Sequence, residues 1–454
     1  MKPMSLVRGV ATLAFVALVT GCSSHKGTLE PIPPNTDPIV FIDGFGAAVD
    51  YQAFATSKLD AVGIDETEKY AGNASLRIIV PPVNDPSGFF AGGAFTTNRL
   101  RDLSGYNALT FWAKASRAVT LDVAGLGNDN TGTSRYEAKR NSLALTTTWQ
   151  QFTIAIPYSA RLTREGGLFY YAEGPEGGQG CTIWLDEIQY VLSTGISNPR
   201  PSFPPTTLLL DVGSTLNLAG TRVIYNVNGV DQTIDASPRY FDFASTDTTV
   251  AKVIDELVRV VGVGTTTITA SLGGVPAFGN VALTTTPSPT AGAPVPAPAA
   301  ADVISLYSDS YPNVTVDKWS ADWDVADVSD VTVGGNPTKK YSGLSFAGIE
   351  FITQTVNATN MTHFHVDVWA GQGQFIRIKL VDFGADGAFQ GGDDVEHELT
   401  FTALTTPAFA TGSWISLDLP LSSFTNLTTR GHMAQLIISG NTPTVYVDNV
   451  YFHR

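Results

Sequence analysis

The stretch Leu109-Thr-Phe-Trp-Ala113 has a counterpart at Val366-Asp-Val-Trp-Ala370, and both lie among short segments in which apolar and polar residues alternate. Residues 76–80, 120–124 and 375–381 are such segments. Alternation with a period of two is typical of strands that bury one face. Gly, Pro, Asn and Asp separate the segments, and no helical periodicity is sustained. The sequence therefore predicts an all-β protein made of β-sandwiches.

The two quoted stretches belong to longer regions, at about 39–192 and 302–454, that resemble each other weakly. Trp149 and Trp414 each open an alternating run that ends in Pro. Each region then closes on a strand-like segment with a central Asp. Because these features follow in the same order, we interpret the two regions as two copies of one fold.

Composition limits the class of partner. The 454 residues include 27 Lys and Arg against 42 Asp and Glu, which gives a formal net charge of −15. A nucleic-acid partner is excluded on this ground, since phosphate binding needs a surplus of positive charge. The same charge repels anionic glycans more than neutral ones. Two cysteines, Cys22 and Cys181, cannot form a disulfide framework.

The N-terminus has the pattern of a signal peptide. Two basic residues precede the apolar run 9–19, which is shorter than the ~20 residues of a membrane-spanning helix. The run ends at Gly21-Cys22 and resembles a bacterial lipobox. That resemblance implies acylation of Cys22 and membrane attachment through lipid only. Ser23, rather than Asp, follows the Cys, which implies the outer membrane, with the protein facing the cell surface. The alternative is an ordinary signal peptide with an incidental Cys.

Three further resemblances cover most of the chain. Phe41-Ile-Asp-Gly-Phe45 and the run 102–114 resemble the jelly-roll, galactose-binding-like carbohydrate-binding modules attached to bacterial polysaccharidases. The run 314–324 and the segment 361–369 resemble a C-terminal module of secreted glycan-degrading enzymes, although no recognisable catalytic domain precedes it here. Residues 243–270 resemble a group 2 bacterial immunoglobulin-like domain, which implies a spacer.

These patterns predict three modules joined by Pro-rich linkers. We call them the first module, the middle module and the C-terminal module. The predicted organisation is a signal peptide at 1–21, a tether at 22–38, a jelly-roll module at 39–192, a linker at 193–205, an immunoglobulin-like domain at 206–286, a Pro-rich linker at 287–301 and a second jelly-roll module at 302–454.

Aromatic side chains among polar residues are the candidate sugar ligands, because neutral polysaccharides stack their apolar faces on aromatic rings. Trp319 and Trp323 lie in a segment rich in Asp and Ser, and Trp112 and Trp369 occupy matching places in the repeat. The alternative for each is core packing. The predicted carbohydrate ligands are Trp319, Trp323, Trp369 and Trp112, with Arg135, Tyr136 and Tyr170 as weaker candidates in Gly-rich loops.

A structural Ca²⁺ is the one predicted cofactor. The run 382–396 places oxygen ligands among glycines, as Ca²⁺ coordination requires, and the alternative is a solvated acidic turn. Resemblance to jelly-roll modules also implies a Ca²⁺ site between the first and the last strand of each module. The alternative is that the carboxylates there only cap the ends of strands. The candidate ligands are Asp382, Asp386, Asp393, Asp394 and Glu396 in the acidic run, Asp43 with Asp186, and Asp309 with Asp448.

Catalytic signals are weak. No Gly-x-Ser-x-Gly elbow, phosphate loop or Cys/His arrangement is present. Asp394, Glu396 and Glu398 alternate on one predicted strand face, which keeps a hydrolase or lyase as one alternative. A non-catalytic adhesin or structural surface protein is the other. The sequence predicts a lipid-anchored surface protein that captures a polysaccharide, with resemblance favouring a β-glucan such as laminarin, for a co-expressed transporter or hydrolase.

Overall fold

The computed structural model describes residues 34–454, so the predicted signal peptide and Cys22 lie outside the described residues. Within this range the regular structure is almost entirely strand. No helix among these residues has both the length and the apolar character needed to cross a membrane. The prediction of an all-β protein built from β-sandwiches is confirmed. Short 3₁₀ turns occur at Ser159–Arg161, Pro238–Tyr240, Ala300–Asp302 and Leu421–Ser423.

The first module folds into two facing sheets. One sheet has the order β3-β4-β11-β6-β9, with β1 paired to β11, and the other contains β8-β7-β10-β5-β2. Phe95, Phe111 and Phe169 are fully buried between the sheets. The strands are β1 (Ile39–Phe41), β2 (Val49–Ala53), β3 (Val62–Asp65), β4 (Ser75–Val80), β5 (Ala91–Arg101), β6 (Ala108–Ala115), β7 (Val119–Leu126), β8 (Ala138–Leu145), β9 (Gln150–Ala155), β10 (Glu165–Glu173) and β11 (Cys181–Val191).

The next eleven strands divide between two structures. The strands are β12 (Ile196–Ser202), β13 (Thr206–Asp211), β14 (Thr215–Asn217), β15 (Arg222–Val227), β16 (Val230–Ala236), β17 (Asp242–Ser245), β18 (Ala251–Ile254), β19 (Leu257–Val260), β20 (Gly264–Leu272), β21 (Val275–Pro276) and β22 (Val281–Thr286). A small sandwich forms from β13-β22-β20-β17, with β21 on β20, and from β14-β19-β18. The other three strands extend the second sheet of the first module, in the order β12-β15-β16-β8-β7-β10-β5-β2. The predicted linker 193–205 therefore contains strand β12, and the middle module shares a sheet with the first.

The C-terminal module is one nine-stranded, folded-over sheet. Its main path is β28-β27-β30-β25-β31-β26-β29, with β23 paired to β31 and β24 to β25. The strands are β23 (Val303–Tyr307), β24 (Val325–Val333), β25 (Asn336–Glu350), β26 (His363–Ala370), β27 (Phe375–Asp382), β28 (Val395–Thr402), β29 (Trp414–Pro420), β30 (Met433–Gly440) and β31 (Thr444–His453).

Strand β25 closes this sandwich by passing from one face to the other. Its residues 339–342 pair with β31, whereas its residues 346–350 pair with β30. Gly343 lies between these stretches with a φ of 61°, a left-handed conformation that glycine adopts without steric cost. The order β31-β26-β29 matches β11-β6-β9 of the first module, which agrees with the internal repeat seen in the sequence.

Candidate functional site

A cleft of about 870 Å³ lies on the outer face of strands β28, β27, β30 and β25 in the C-terminal module. The strands themselves explain its floor, because side chains alternate between the two faces of a sheet. Ile376, Ile378 and Leu380 of β27 are fully buried in the core, so Arg377 and Lys379, which alternate with them, point outward. The lining residues are Trp323, Ser345, Phe346, Glu350, Ile352, Arg377, Lys379, Phe383, Phe389, Glu396, Glu398, Gln435, Ile437 and Ser439.

Strand register places the floor residues in rows across the sheet. Gly348 of β25 is opposite Ile437 of β30, which is opposite Lys379 of β27, which in turn is opposite Glu398 of β28. Neighbouring strands are about 4.8 Å apart, so the four positions span about 14 Å. The floor is therefore a largely polar row with one aliphatic side chain, Ile437, near its centre.

Trp323 forms one wall of the cleft. Its side chain is 46% exposed, and its ring is stacked with Phe346 at a centroid distance of 6.1 Å. The indole Nε1 donates a hydrogen bond of 2.9 Å to Glu350 Oε1. A Cβ at Gly348 would lie 2.4 Å from the Trp323 ring, so only glycine lets the indole lie against the strand. Trp323 is thus a fixed, solvent-facing aromatic surface.

The opposite end of the cleft is also aromatic. Phe389 is 62% exposed and lies with its ring centroid 5.4 Å from that of buried Phe383. Both follow strand β27, in the predicted Ca²⁺ loop. Asp382 anchors this loop, since its carboxylate accepts hydrogen bonds from the backbone N–H of Gly384 and of His432. The loop therefore presents an apolar ring to the cleft from a base fixed by hydrogen bonds.

Between the aromatic ends, charged groups alternate in sign. Lys379 Nζ is 2.6 Å from Glu396 Oε1, and Arg377 Nε is 3.5 Å from Glu398 Oε1. Gln435 Nε2 donates to Glu350 Oε1 at 3.2 Å. Ion pairs this exposed add little to stability. They do place hydrogen-bond donors and acceptors side by side on a solvent-facing floor, which suits a hydroxyl-rich ligand.

The predicted pair Trp319 and Trp323 is divided by the structure. Trp323 lines the cleft, whereas Trp319 packs edge-on against Tyr307 at 5.3 Å, with Lys339 Nζ 5.0 Å from its ring. The Trp319 carbonyl also accepts a hydrogen bond from buried Tyr341. The two residues therefore do not form one platform.

The matched tryptophans Trp112 and Trp369 lie away from the cleft, on strand β6 of the first module and strand β26 of the C-terminal module. Trp112 of β6 stacks on Tyr70 at a centroid distance of 3.7 Å. Trp369 of β26 is 4% exposed and packs with Val333 and Tyr446. Both side chains are held by intramolecular packing, and neither reaches the cleft.

The weaker aromatic candidates of the first module lie at its junction with the middle module. The Tyr136 carbonyl accepts a hydrogen bond from the hydroxyl of buried Tyr240, and the two rings are 5.4 Å apart. Arg135 lies over the Tyr136 ring at 5.8 Å. Tyr170 is 4% exposed, and its hydroxyl donates to Glu137 Oε1 at 2.5 Å.

The candidate Ca²⁺ ligands of the acidic run mostly accept hydrogen bonds within their own loop. Asp386 accepts from Ala388 N–H, and Asp394 accepts from Gln390 N–H. Asp393 accepts in the same way from Ala385 N–H, at 2.6 Å. Glu396 points instead into the cleft, where it pairs with Lys379.

The carboxylates predicted to bind Ca²⁺ between first and last strands also accept hydrogen bonds from the protein. Asp43 accepts from the backbone N–H of Ala74, and Asp186 accepts from that of Tyr70, so both fix the same loop. Asp448 is fully buried and accepts from Asn336 Nδ2 at 2.7 Å. Burial raises the pKa of Asp448 to about 6, and the negative charge of Asp309 adds to the shift.

Residues 34–454 contain no group of three or more His, Cys, Asp or Glu side chains placed to hold a metal ion. Most of the predicted ligands serve in this arrangement as hydrogen-bond acceptors in turns and at strand ends. Binding of Ca²⁺ stays a prediction from the sequence.

Most of the cleft floor was not singled out by the sequence. Arg377, Lys379 and Gln435 lie on ordinary alternating strands, and Phe389 lies in a loop interpreted as metal-binding. The alternation on β27 could have indicated that its charged residues share one face. Strands β28, β30 and β25 complete the floor together with β27. Their pairing is long-range, and local sequence patterns do not encode it.

No family model matches the chain, and no curated protein shows significant similarity to it. Among solved structures, a tandem CBM22 domain from Paenibacillus barcinonensis Xyn10C aligns over 92% of this chain and 99% of its own, at 12% identity and a TM-score of 0.23. A family 30 carbohydrate-binding module aligns over 33% and 97%, at 12% identity and a TM-score of 0.26. A family 11 module from Clostridium thermocellum, in complex with a β-1,3-1,4-mixed-linked tetrasaccharide, aligns over 31% and 97%, at 15% identity and a TM-score of 0.21. At these TM-scores the likenesses are too weak to assign a ligand to this chain.

Proposed function

We propose that the protein binds a neutral polysaccharide in the cleft of the C-terminal module. The observation that carries this proposal is the position of Trp323, an exposed ring fixed by Gly348 and Glu350 beside a floor of alternating donors and acceptors. Aromatic rings stack on the apolar faces of sugars, and such polar side chains orient the hydroxyls. Phe389 at the other end provides a second apolar surface.

The charge of the cleft favours a neutral ligand over an anionic one. Arg377 and Lys379 are its cations, and each already has a glutamate partner within ion-pair distance. Glu350 adds a carboxylate that no cation in residues 34–454 approaches within that distance. A uronate polymer would therefore meet no free positive charge, whereas sugar hydroxyls can exchange hydrogen bonds with the polar side chains of the floor.

The wider role that we propose is capture of glycan at the surface of a bacterial cell. The lipobox-like Gly21-Cys22 supports a lipid anchor in the outer membrane, and the Pro-rich stretch that follows supports a tether. The bound polymer, for which a β-glucan such as laminarin is the first candidate, would pass to a co-expressed transporter or hydrolase. The protein itself would not act as an enzyme.

Affinity electrophoresis tests the binding proposal directly. The unaltered protein should be retarded in gels that contain laminarin or another neutral β-glucan, and less so in gels that contain alginate. Trp323→Ala should lower the affinity measured from this retardation at least tenfold, which corresponds to about 1.4 kcal/mol of binding free energy. Phe278→Ala, which removes an aromatic ring that is 78% exposed outside the cleft, is the matched control and should have no effect.

The alternatives give different results in the same experiment. An adhesin or structural protein without a glycan site would migrate equally in every gel. A hydrolase or lyase would release reducing ends or unsaturated products from one of the polymers. Either result would contradict the proposed function.

A further inference from the structure

One row of residues crosses the eight-stranded sheet from the first module into the middle module. Tyr170 of β10 is opposite Gly125 of β7, which is opposite Lys139 of β8. The row continues with Asp235 of β16 and Arg222 of β15. Five strands at a spacing of about 4.8 Å make the row about 19 Å long. The last two positions belong to the hairpin β15–β16, which the sequence placed in a spacer domain.

Two adjoining cavities lie along this row. One has a volume of about 360 Å³ and the other about 420 Å³, and Ser134 and Glu137 line both. Together they form a continuous surface that we call the junction groove. Its principal side chains are Phe54, Asn128, Glu137, Lys139, Arg222 and Asp235.

The floor of the junction groove is rigid. A Cβ at Gly125 would lie 2.4 Å from the Tyr170 ring, so the glycine lets this ring lie flat on the sheet. The Tyr170 hydroxyl donates a hydrogen bond of 2.5 Å to Glu137 Oε1. Half-buried Phe54 packs edge-on against Tyr170, with ring centroids 6.4 Å apart. The aromatic support and the polar group above it are therefore fixed relative to each other.

The hairpin is fixed to the first module by several hydrogen bonds. Ser237 N–H donates to the Glu137 carbonyl at 2.7 Å, and Asn141 Nδ2 donates to Asp235 Oδ2 at 2.6 Å. Tyr225 donates its hydroxyl to the Pro157 carbonyl at 2.8 Å in a buried contact. The two halves of the groove are thus preorganised, and a ligand would not need to bring them together.

The polar groups of the groove balance in charge. Two cations, Lys139 and Arg222, lie with two carboxylates, Glu137 and Asp235. No carboxylate comes within ion-pair distance of Lys139 in the part of the chain that the structure describes, and Arg222 is 3.8 Å from Asp235. Donors and acceptors without net charge, beside the ring of Phe54, suit a neutral hydroxyl-bearing chain.

We propose that the junction groove is a second binding site for neutral glycan, built jointly by the first module and the β15–β16 hairpin. This inference rests on the proposed function of the cleft, and it extends that function to another surface. The middle module then contributes ligand contacts through Asp235 and Arg222, in addition to spacing the other two.

The test uses Trp323→Ala as the background, because this change disables the cleft alone. The complete protein with this change should still be retarded by a neutral β-glucan polysaccharide, with an affinity at least tenfold lower than that of the unaltered protein. Adding Lys139→Ala and Arg222→Ala should reduce the remaining retardation at least another tenfold. Lys252→Ala with Arg259→Ala, two exposed cations on opposite strands outside both sites, is the matched control and should change nothing.

The outcomes separate the two proposals. Retardation of the unaltered protein that Trp323→Ala removes completely would overturn the second site and leave the cleft intact. Residual binding that survives Lys139→Ala with Arg222→Ala would overturn it as well. No retardation of the unaltered protein by any neutral glycan would contradict the proposed function itself. Melting curves of each variant show whether a lost interaction reflects unfolding.

Discussion

At the scale of single residues, two glycines allow an aromatic ring to lie flat against a strand. Gly348 lies under Trp323 and Gly125 under Tyr170, and in both places a Cβ would lie 2.4 Å from the ring. Glycine weakens a strand interior because it packs no side chain and has more freedom to lose. At these positions the absence of a side chain allows a neighbouring ring to cover the strand.

Gly348→Ala should displace Trp323 without removing it. The added methyl group would force the indole off the strand and break its hydrogen bond to Glu350. We expect the affinity for neutral β-glucan to fall about as far as in Trp323→Ala, measured by affinity electrophoresis. Gly431→Ala, where a Cβ meets nothing within 4 Å, is the control and should bind normally. Normal binding by Gly348→Ala would show that the position of the ring is unimportant.

Glu173 is a buried carboxyl group whose ionisation should limit stability at high pH. It is 1% exposed, and burial raises its pKa to about 8 from 4.5. Its Oε2 accepts from Asp122 N–H at 2.7 Å, whereas Oε1 has no hydrogen-bond partner. The folded state therefore binds a proton more tightly than the unfolded state. Its contribution to stability is fully present below pH 4.5 and is lost as the pH rises through 8.

Glu173→Gln should make the stability of the first module less dependent on pH. The unaltered protein should lose roughly 2–4 kcal/mol of stability between pH 5 and pH 9 through this group, and the variant should not. Melting temperatures at pH 5, 7 and 9 measure the difference. Exposed Glu66→Gln is the control and should keep the dependence of the unaltered protein. Parallel curves for Glu173→Gln and the unaltered protein would mean that Glu173 is already ionised at pH 5.

At the scale of elements, the β15–β16 hairpin shows what local sequence can indicate. The turn Asn228-Gly229 has positive φ at both residues, 51° and 88°, and Asn-Gly between alternating runs is a strong hairpin signal. The hairpin itself was therefore predictable. The sheet that it joins was not, because its pairing with β8 involves residues nearly a hundred positions earlier in the chain.

In the Pro-rich segment 287–299, composition indicated the conformation of the backbone but not its contacts. Composition predicted an extended linker, and proline runs do prefer an extended backbone. In the structure the carbonyls of this segment accept hydrogen bonds from the C-terminal module. Trp414 Nε1 donates to Ala291 O at 2.8 Å, Asn449 Nδ2 to Pro294 O at 2.9 Å, and Tyr311 to Pro298 O at 2.7 Å. An extended backbone leaves its carbonyls free to accept hydrogen bonds. A Pro-rich segment can therefore pack against a neighbouring module as well as act as a linker.

The cleft illustrates how far site prediction extends. Trp323 was predicted because an aromatic residue among acidic ones is rarely buried completely, and it is exposed. Trp319 has the same local composition but is partly buried and packs against Tyr307. The difference arises from Gly348 and Tyr341, which lie on a strand that approaches this segment only in the folded chain. Local sequence identified the segment, and tertiary packing decided which ring faces the solvent.

At the scale of the whole molecule, residues 34–454 contain two large apolar cores beside two small clusters. One core runs through the first and middle modules without interruption, and it contains both Phe111 and Tyr240. The other, which contains Phe364, lies within the C-terminal module. Contacts between the middle and C-terminal modules include the ion pair of Lys340 with Asp211 at 2.7 Å. Because a shared apolar core melts cooperatively, the first and middle modules should unfold together.

Tyr240→Ala tests this arrangement by calorimetry. Tyr240 is fully buried at the junction, where its hydroxyl donates to the Tyr136 carbonyl at 2.7 Å. Removing the ring should cost roughly 3–5 kcal/mol and lower one melting transition that comprises the first and middle modules. Phe364→Ala is the counterpart and should lower only the transition of the C-terminal module. If Tyr240→Ala instead shifts a small third transition and leaves the first module unchanged, the middle module folds independently, and the junction groove would lack the fixed hairpin on which its shape depends.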